Sequence, residues 1–190
     1  MSTATKHNTP IIPKREDALR AARALLAVKY PDAVGAFAAG SIIRGSGTVH
    51  SDLDLVVFFE KRAQARRESY LHQGLPVEAF LHDPETFRYF NEELDGKDGI
   101  PMLAHMVTTG VPVPEPCPLL ERVRSQAADF LSRGPRALTA DEVLRRRYGL
   151  TDLVEDLRAP RTPDEARAIS TEFYNALADY WFRSGGLWSA

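Results

Sequence analysis

The stretch Gly40-Ser41-Ile42-Ile43-Arg44-Gly45, followed by Ser51-Asp52-Leu53-Asp54-Leu55-Val56-Val57-Phe58-Phe59-Glu60, decides how this chain is read. Asp52–Glu60 is its strongest strand signal, built on the apolar run Leu55–Phe59 with its Val and Phe residues. Side chains alternate faces along a strand. Asp52 and Asp54 therefore point one way, while Leu53, Leu55, Val57 and Phe59 point the other way, into a core. Two carboxylates at the mouth of an apolar strand repel each other unless a cation lies between them. A hard divalent ion such as Mg²⁺ takes oxygen ligands and keeps substrate phosphates as partners. An isolated Asp-x-Asp can equally be a polar strand cap. Gly40-Ser41, ten residues upstream, tells against the cap. A Gly lets the backbone approach a phosphate, and Ser adds hydroxyl and amide donors at an expected helix start. A phosphate cradle beside a metal-binding carboxylate pair is what phosphoryl or nucleotidyl transfer requires.

Metal sites of this kind usually draw on a third acidic group, for which Glu78 and Asp83 are the candidates. Glu78 interrupts the apolar segment Pro76-Val77-Glu78-Ala79-Phe80-Leu81-His82 and shares a face with Phe80 and His82. A carboxylate inside such a strand is costly to bury without a partner. Asp83 precedes Pro84-Glu85 and has a sufficient role as a helix cap. Glu78 is therefore assigned to the site.

The flanking sequence predicts a helix over Arg15–Tyr30, stopped by Pro31, and a buried strand over Val34–Ala39. Lys61–Arg67 is expected as a charged loop, then strands Glu68–Gln73 and Pro76–His82 joined by a tight turn at Gly74. A helix from Asp83 to about Leu94, a turn at Asp95–Gly99, a helix over Ile100–Thr109 and an edge strand at Val111–Val113 follow. The Pro-rich 111–118 marks the expected domain boundary, and everything beyond it reads helical. Thr139…Glu142 and Thr162…Glu165 both match the capping box. The expected organisation is a polar leader over 1–13, a catalytic α+β domain over 14–113 and a helical bundle over 114–190.

The pattern Gly40-Ser41, Asp52-x-Asp54 and a later strand acid resembles the polymerase-beta-type nucleotidyltransferase superfamily. Gly40–Gly45 leading into Ser51–Leu55 is similar to its bacterial branch of kanamycin- and lincosamide-type antibiotic nucleotidyltransferases. The resemblance is specific over residues 34–82 and weaker to 113. It implies an α+β fold with a mixed sheet flanked by helices. It implies two Mg²⁺ held by Asp52, Asp54 and Glu78, with Glu78 completing a metal site or taking the acceptor's proton. Gly40 and Ser41 would hold the triphosphate of ATP or another NTP, with Arg44 in reach. Family members often continue past the last helix with further basic residues, where this sequence ends at Trp188-Ser189-Ala190.

Composition narrows the alternatives. The 190 residues carry a net charge of −2, so no global positive field draws the chain to nucleic acid, and none is expected as partner. Cys117 is the only cysteine, which excludes an internal disulfide and suits the cytoplasm. No apolar run approaches the ~20 residues of a membrane span, so no membrane partner is expected. Absence of Gly-Lys-Ser/Thr excludes a P-loop. Lys61–Arg67 and Arg145–Arg147 read as solvated surface. Asp152, Glu155 and Asp156 read as a solvated helix face, Trp181 and Trp188 as core or dimer contacts, and His50 as an exposed loop residue. The expected activity is Mg²⁺-dependent transfer of a nucleoside monophosphate, AMP from ATP, onto a hydroxyl of a small acceptor such as an antibiotic; a homodimer is compatible with it. The alternative is a nucleotide-binding regulatory module of a toxin–antitoxin pair that binds or modifies a protein partner.

Overall fold

The structure, a computed structural model, describes residues 12–189; the expected leader lies almost wholly outside them. Helix α1 (Arg15–Lys29) carries Glu16 and Asp17 in its first turn, where the helix dipole favours them. It buries Ala18, Ala22, Leu25 and Leu26. Strand β1 (Gly35–Ala39) runs into the five-residue α2 (Gly40–Arg44), then β2 (Leu53–Phe58), β3 (Arg66–His72) and β4 (Leu75–His82). The β3–β4 hairpin closes on Gln73 (φ 50°) and Gly74 (φ 85°), the left-handed pair that a two-residue turn requires. Helix α3 (Pro84–Tyr89) passes into a π-helical turn over Phe90–Asp95 and a single turn α4 (Gly96–Asp98), where one helix to Leu94 and a turn were expected. Then come α5 (Met102–Thr109) and the edge strand β5 (Val111–Val113).

The sheet order is β3-β4-β2-β1-β5. β2 and β4 are parallel and every other pair is antiparallel. Both faces are covered, not only the one carrying Leu53, Leu55 and Val57. Those three pack with α1 residues, whereas Val56 and Phe58 on the opposite face are also fully buried. Phe58 meets Phe37 and Phe87 edge-on, with centroids 6.1 and 5.2 Å apart. Phe59 falls just after the end of β2 and, partly buried, packs against the same cluster as Leu53, Leu55 and Val57, as expected. Two-sided burial explains why the β2 sequence is nearly continuous in apolar residues.

Three further helices follow: α6 (Pro118–Arg133), α7 (Ala140–Arg158) and α8 (Pro163–Ser184). Thr139 and Glu142 form the complete capping box of α7. At α8 only half forms: Thr162 accepts from the Glu165 amide, but Glu165 accepts from the Arg161 amide instead of closing the box. The chain divides into two compact units. The first is the chain up to Phe90 with Leu103–Ala128, and the second is Asn91–Met102 with the chain from Asp129. The Pro-rich stretch thus counts with the first. In the second, Arg183 is buried and donates to the carbonyls of Lys97 (2.5 Å) and Arg136 (2.9 Å), and Arg146 pairs with Asp179 at 2.9 Å. Trp188 packs on Phe130 with centroids 4.9 Å apart, as a core contact, whereas Trp181 is exposed. Among the described residues no helix is long and apolar enough to cross a membrane.

His82 closes β4 inside an aromatic cage of Phe87 and Phe90, and its Nδ1 has no hydrogen-bond partner. Burial pushes its pKa down to about 4, with Arg62 adding to the effect and Asp83 opposing it. The folded chain therefore holds His82 neutral, and the unfolded chain binds the proton first. The stability this contributes is complete above pH 6.5 and is lost as the pH falls toward 4, a loss of about 3 kcal/mol. Urea unfolding at a series of pH values should show that acid-side slope, and His82→Leu should flatten it by that amount. Equal slopes in parent and variant would refute the assignment.

Candidate active site

Parallel pairing of β2 with β4 sets Asp54 directly beside Glu78. Asp52 lies two residues before Asp54 and shares its face. Asp52, Asp54 and Glu78 each offer a carboxylate oxygen within 4.8 Å of the others, and all three are partly exposed. The loop leading to them is fixed locally. Ser51 accepts from the Thr48 amide at 2.8 Å, and Ser41 donates to Ser51 at 2.8 Å, tying α2 to the residue before Asp52. His50 is exposed in that loop, as expected, and its amide donates to Thr48.

Gly40 has φ +87°, and a Cβ there would stand 2.3 Å from Asp54 Oδ2. Its first role is thus to let the chain pass close to Asp54 at the start of α2. The Gly-Ser segment and the acidic cluster are consequently adjoining parts of one site. Arg44, at the end of α2, is exposed, and its charge acts on Asp54.

Burial, then the charges of Asp52 and Glu78, raise the Asp54 pKa to about 6, against the opposing pull of Arg44 and Arg67. The cluster is thus short of positive charge. An all-oxygen donor set on carboxylates that repel one another fits a hard divalent cation.

Asp83 does not join the cluster. It is 1% exposed, and its Oδ1 accepts from the Thr86 amide (2.8 Å) and hydroxyl (2.9 Å) in a closed capping box. Its Oδ2 accepts from the Arg62 amide at 2.9 Å.

Glu78 has a protein partner that the sequence did not suggest. Arg67 Nη2 donates to both carboxylate oxygens, at 2.6 and 2.8 Å, and Ser69 donates at 3.4 Å. Arg66 and Arg67 open β3 instead of closing a solvated loop. The available signal was the hairpin register: a two-residue turn at Gln73-Gly74 sets Ser69 opposite Glu78 and Arg67 on the diagonal. In the acidic face of α7, Glu155 pairs with Arg158 at 2.6 Å, as a solvated helix face does.

No family model and no curated protein matches this chain. Among solved structures, the nucleotidyltransferase-like protein from Exiguobacterium sibiricum 255-15 aligns at 15% identity and a TM-score of 0.42. The alignment covers 85% of this chain and 53% of that one, so this chain spans about half the length of its neighbour.

Proposed function

We propose that this chain is a divalent-metal-dependent nucleotidyltransferase that moves a nucleoside monophosphate, AMP from ATP, onto a hydroxyl of a small acceptor. The observation that carries this is the convergence of Asp52, Asp54 and Glu78 against the close turn at Gly40. Asp52, Asp54 and Glu78 would hold Mg²⁺, which when bound supplies charge neutralisation of the triphosphate and of the leaving group. The Gly40 and Ser41 amides would take the phosphate oxygens, with the Ser41 hydroxyl joining them on turning its one proton from Ser51, and with the exposed Arg44 as the nearby cation. The acceptor oxygen attacks the α-phosphorus in line, a new P–O bond forms, the bond to the bridging oxygen breaks, and pyrophosphate departs. The hydroxyl proton goes to Glu78 where that carboxylate is free of other ligands, or to water. Asp83, spent on its cap and on Arg62, takes no part.

The test is incubation with each α-labelled NTP, Mg²⁺ and a panel of acceptors that includes aminoglycosides, lincosamides and co-purifying proteins. Label on a small molecule supports this function. Label on a protein supports instead the regulatory toxin–antitoxin-type alternative. No transfer with any pair, and no NTP binding, would refute both.

A further inference from the structure

The ion pair between Arg67 and Glu78 is fixed from three directions. The hairpin register places Arg67 one diagonal from Glu78, and the guanidinium lies over the Phe80 ring at 5.3 Å from its centroid. Two hydrogen bonds then run from one nitrogen to both oxygens of the carboxylate. Arg67 is largely exposed, so the pair contributes little to stability. Its charge acts on more than Glu78, because it also works on Asp54. Arg44 and Arg67 thus both serve a cluster of three carboxylates, and of the two Arg67 is the one shown hydrogen-bonded to it.

Building on the metal-dependent function above, we propose that Arg67 is the resident counter-ion of the acidic cluster and competes with the divalent metal for Glu78. While the site holds no metal, Arg67 occupies both Glu78 oxygens. A cation entering between Asp52 and Asp54 competes with Arg67 for Glu78, and the strength of the Arg67 hold sets the metal concentration at which the cluster fills. Arg67 is a positioning residue here, since it acts through Glu78. Arg67 and Ser69 fill three of the four lone-pair sites of Glu78, so a metal bound there competes with the guanidinium for the charge of the same carboxylate. Release leaves an exposed guanidinium at the rim of the cluster, available to a phosphate-bearing substrate.

The test measures binding of Mn²⁺ alone, by loss of its free-ion EPR signal, to the unaltered protein and to Arg67→Gln, Arg67→Lys and Glu78→Gln variants. A unit charge about 5 Å from a divalent ion in a water-like dielectric shifts its binding on the order of tenfold. Arg67→Gln should therefore bind Mn²⁺ about tenfold more tightly, with an essentially unchanged melting temperature. Arg67→Lys keeps the charge but replaces the guanidinium stacked on Phe80 with a more strongly hydrated ammonium, and should fall between the two. In a Glu78→Gln background the gain from Arg67→Gln should shrink. Equal or weaker binding by Arg67→Gln would overturn the proposal while leaving the metal site intact. A gain that persists in full in the Glu78→Gln background would show Arg67 acting through distant charge alone, and would overturn the competition for Glu78. If neither the unaltered protein nor Arg67→Gln binds Mn²⁺, the metal-dependent function falls as well.

Discussion

Glu78→Gln should lower turnover by roughly 10²–10⁴-fold, the range for removing a positioned acid–base group, while the protein folds as well as its parent. Turnover is read as pyrophosphate release with whichever NTP and acceptor support it. Stability without metal should hold or rise, because one repelling carboxylate is gone. The contrasting variant is Asp83→Asn, which should keep turnover near the parental value. It does not escape cost. Asp83 uses both oxygens as acceptors, Oδ1 for Thr86 and Oδ2 for the Arg62 amide. An Asn amide retains the first but sets its own donor against the Arg62 amide, a loss of about 1–3 kcal/mol. Asp83→Ala gives up the cap too and should be less stable still. A dead Asp83→Asn beside a normal Glu78→Gln would transfer the third carboxylate's role to Asp83 and invalidate the strand assignment.

Asp54→Asn, and separately Asp52→Asn, should abolish the metal-dependent stabilisation by nucleotide. ATP with Mg²⁺ binds only the folded state, so at a hundred times its dissociation constant it should stabilise the parent by about 2.7 kcal/mol. At this chain length that is a rise of several degrees in melting temperature. Neither variant should show the rise, and each should remain folded. In the absence of metal, Asp54→Asn should be more stable than the parent at neutral pH. The reason is the carboxyl's environment: burial and the neighbouring acids disfavour its ionised form and hold its pKa near 6. An undiminished Mg²⁺-dependent shift in the Asp52→Asn/Asp54→Asn double variant would exclude these residues as metal ligands.

Much of the site was legible along single elements. Period-two alternation alone put Asp52 and Asp54 on one face and Glu78 on the face of Phe80 and His82. The Asp-Pro-Glu signature identified the cap at Asp83, which the structure closes as a full box. Cap and strand signals are local, since each depends on neighbours within about four residues, and a sequence displays them directly. The reading failed where a second element mattered. Arg67 is exposed, as read, but its pairing with Glu78 is invisible along one element, because that partner stands on the next strand. Phe58 and Val56 were not expected in a core, because the partners of Phe58 on that face, Phe37 and Phe87, stand on other elements.

The sequence by itself determined that β2 is an apolar strand with two carboxylates on one face, that Glu78 interrupts a second such strand, and that Asp83 starts a helix. Only the tertiary structure decided that β2 and β4 lie side by side and parallel, in the register that pairs Asp54 with Glu78. That register rests on burying Leu53, Leu55 and Val57 with Val77, Ala79 and Leu81 in one layer; a slip of one residue would turn each row to the opposite face. Tertiary structure likewise decided that Gly40 meets Asp54, since no side chain fits between them, and that Arg67 reaches Glu78 across the β3–β4 hairpin. Alternation assigns a residue to a face, but which residues share that face at bonding distance depends on strand order and register, and long-range burial sets both.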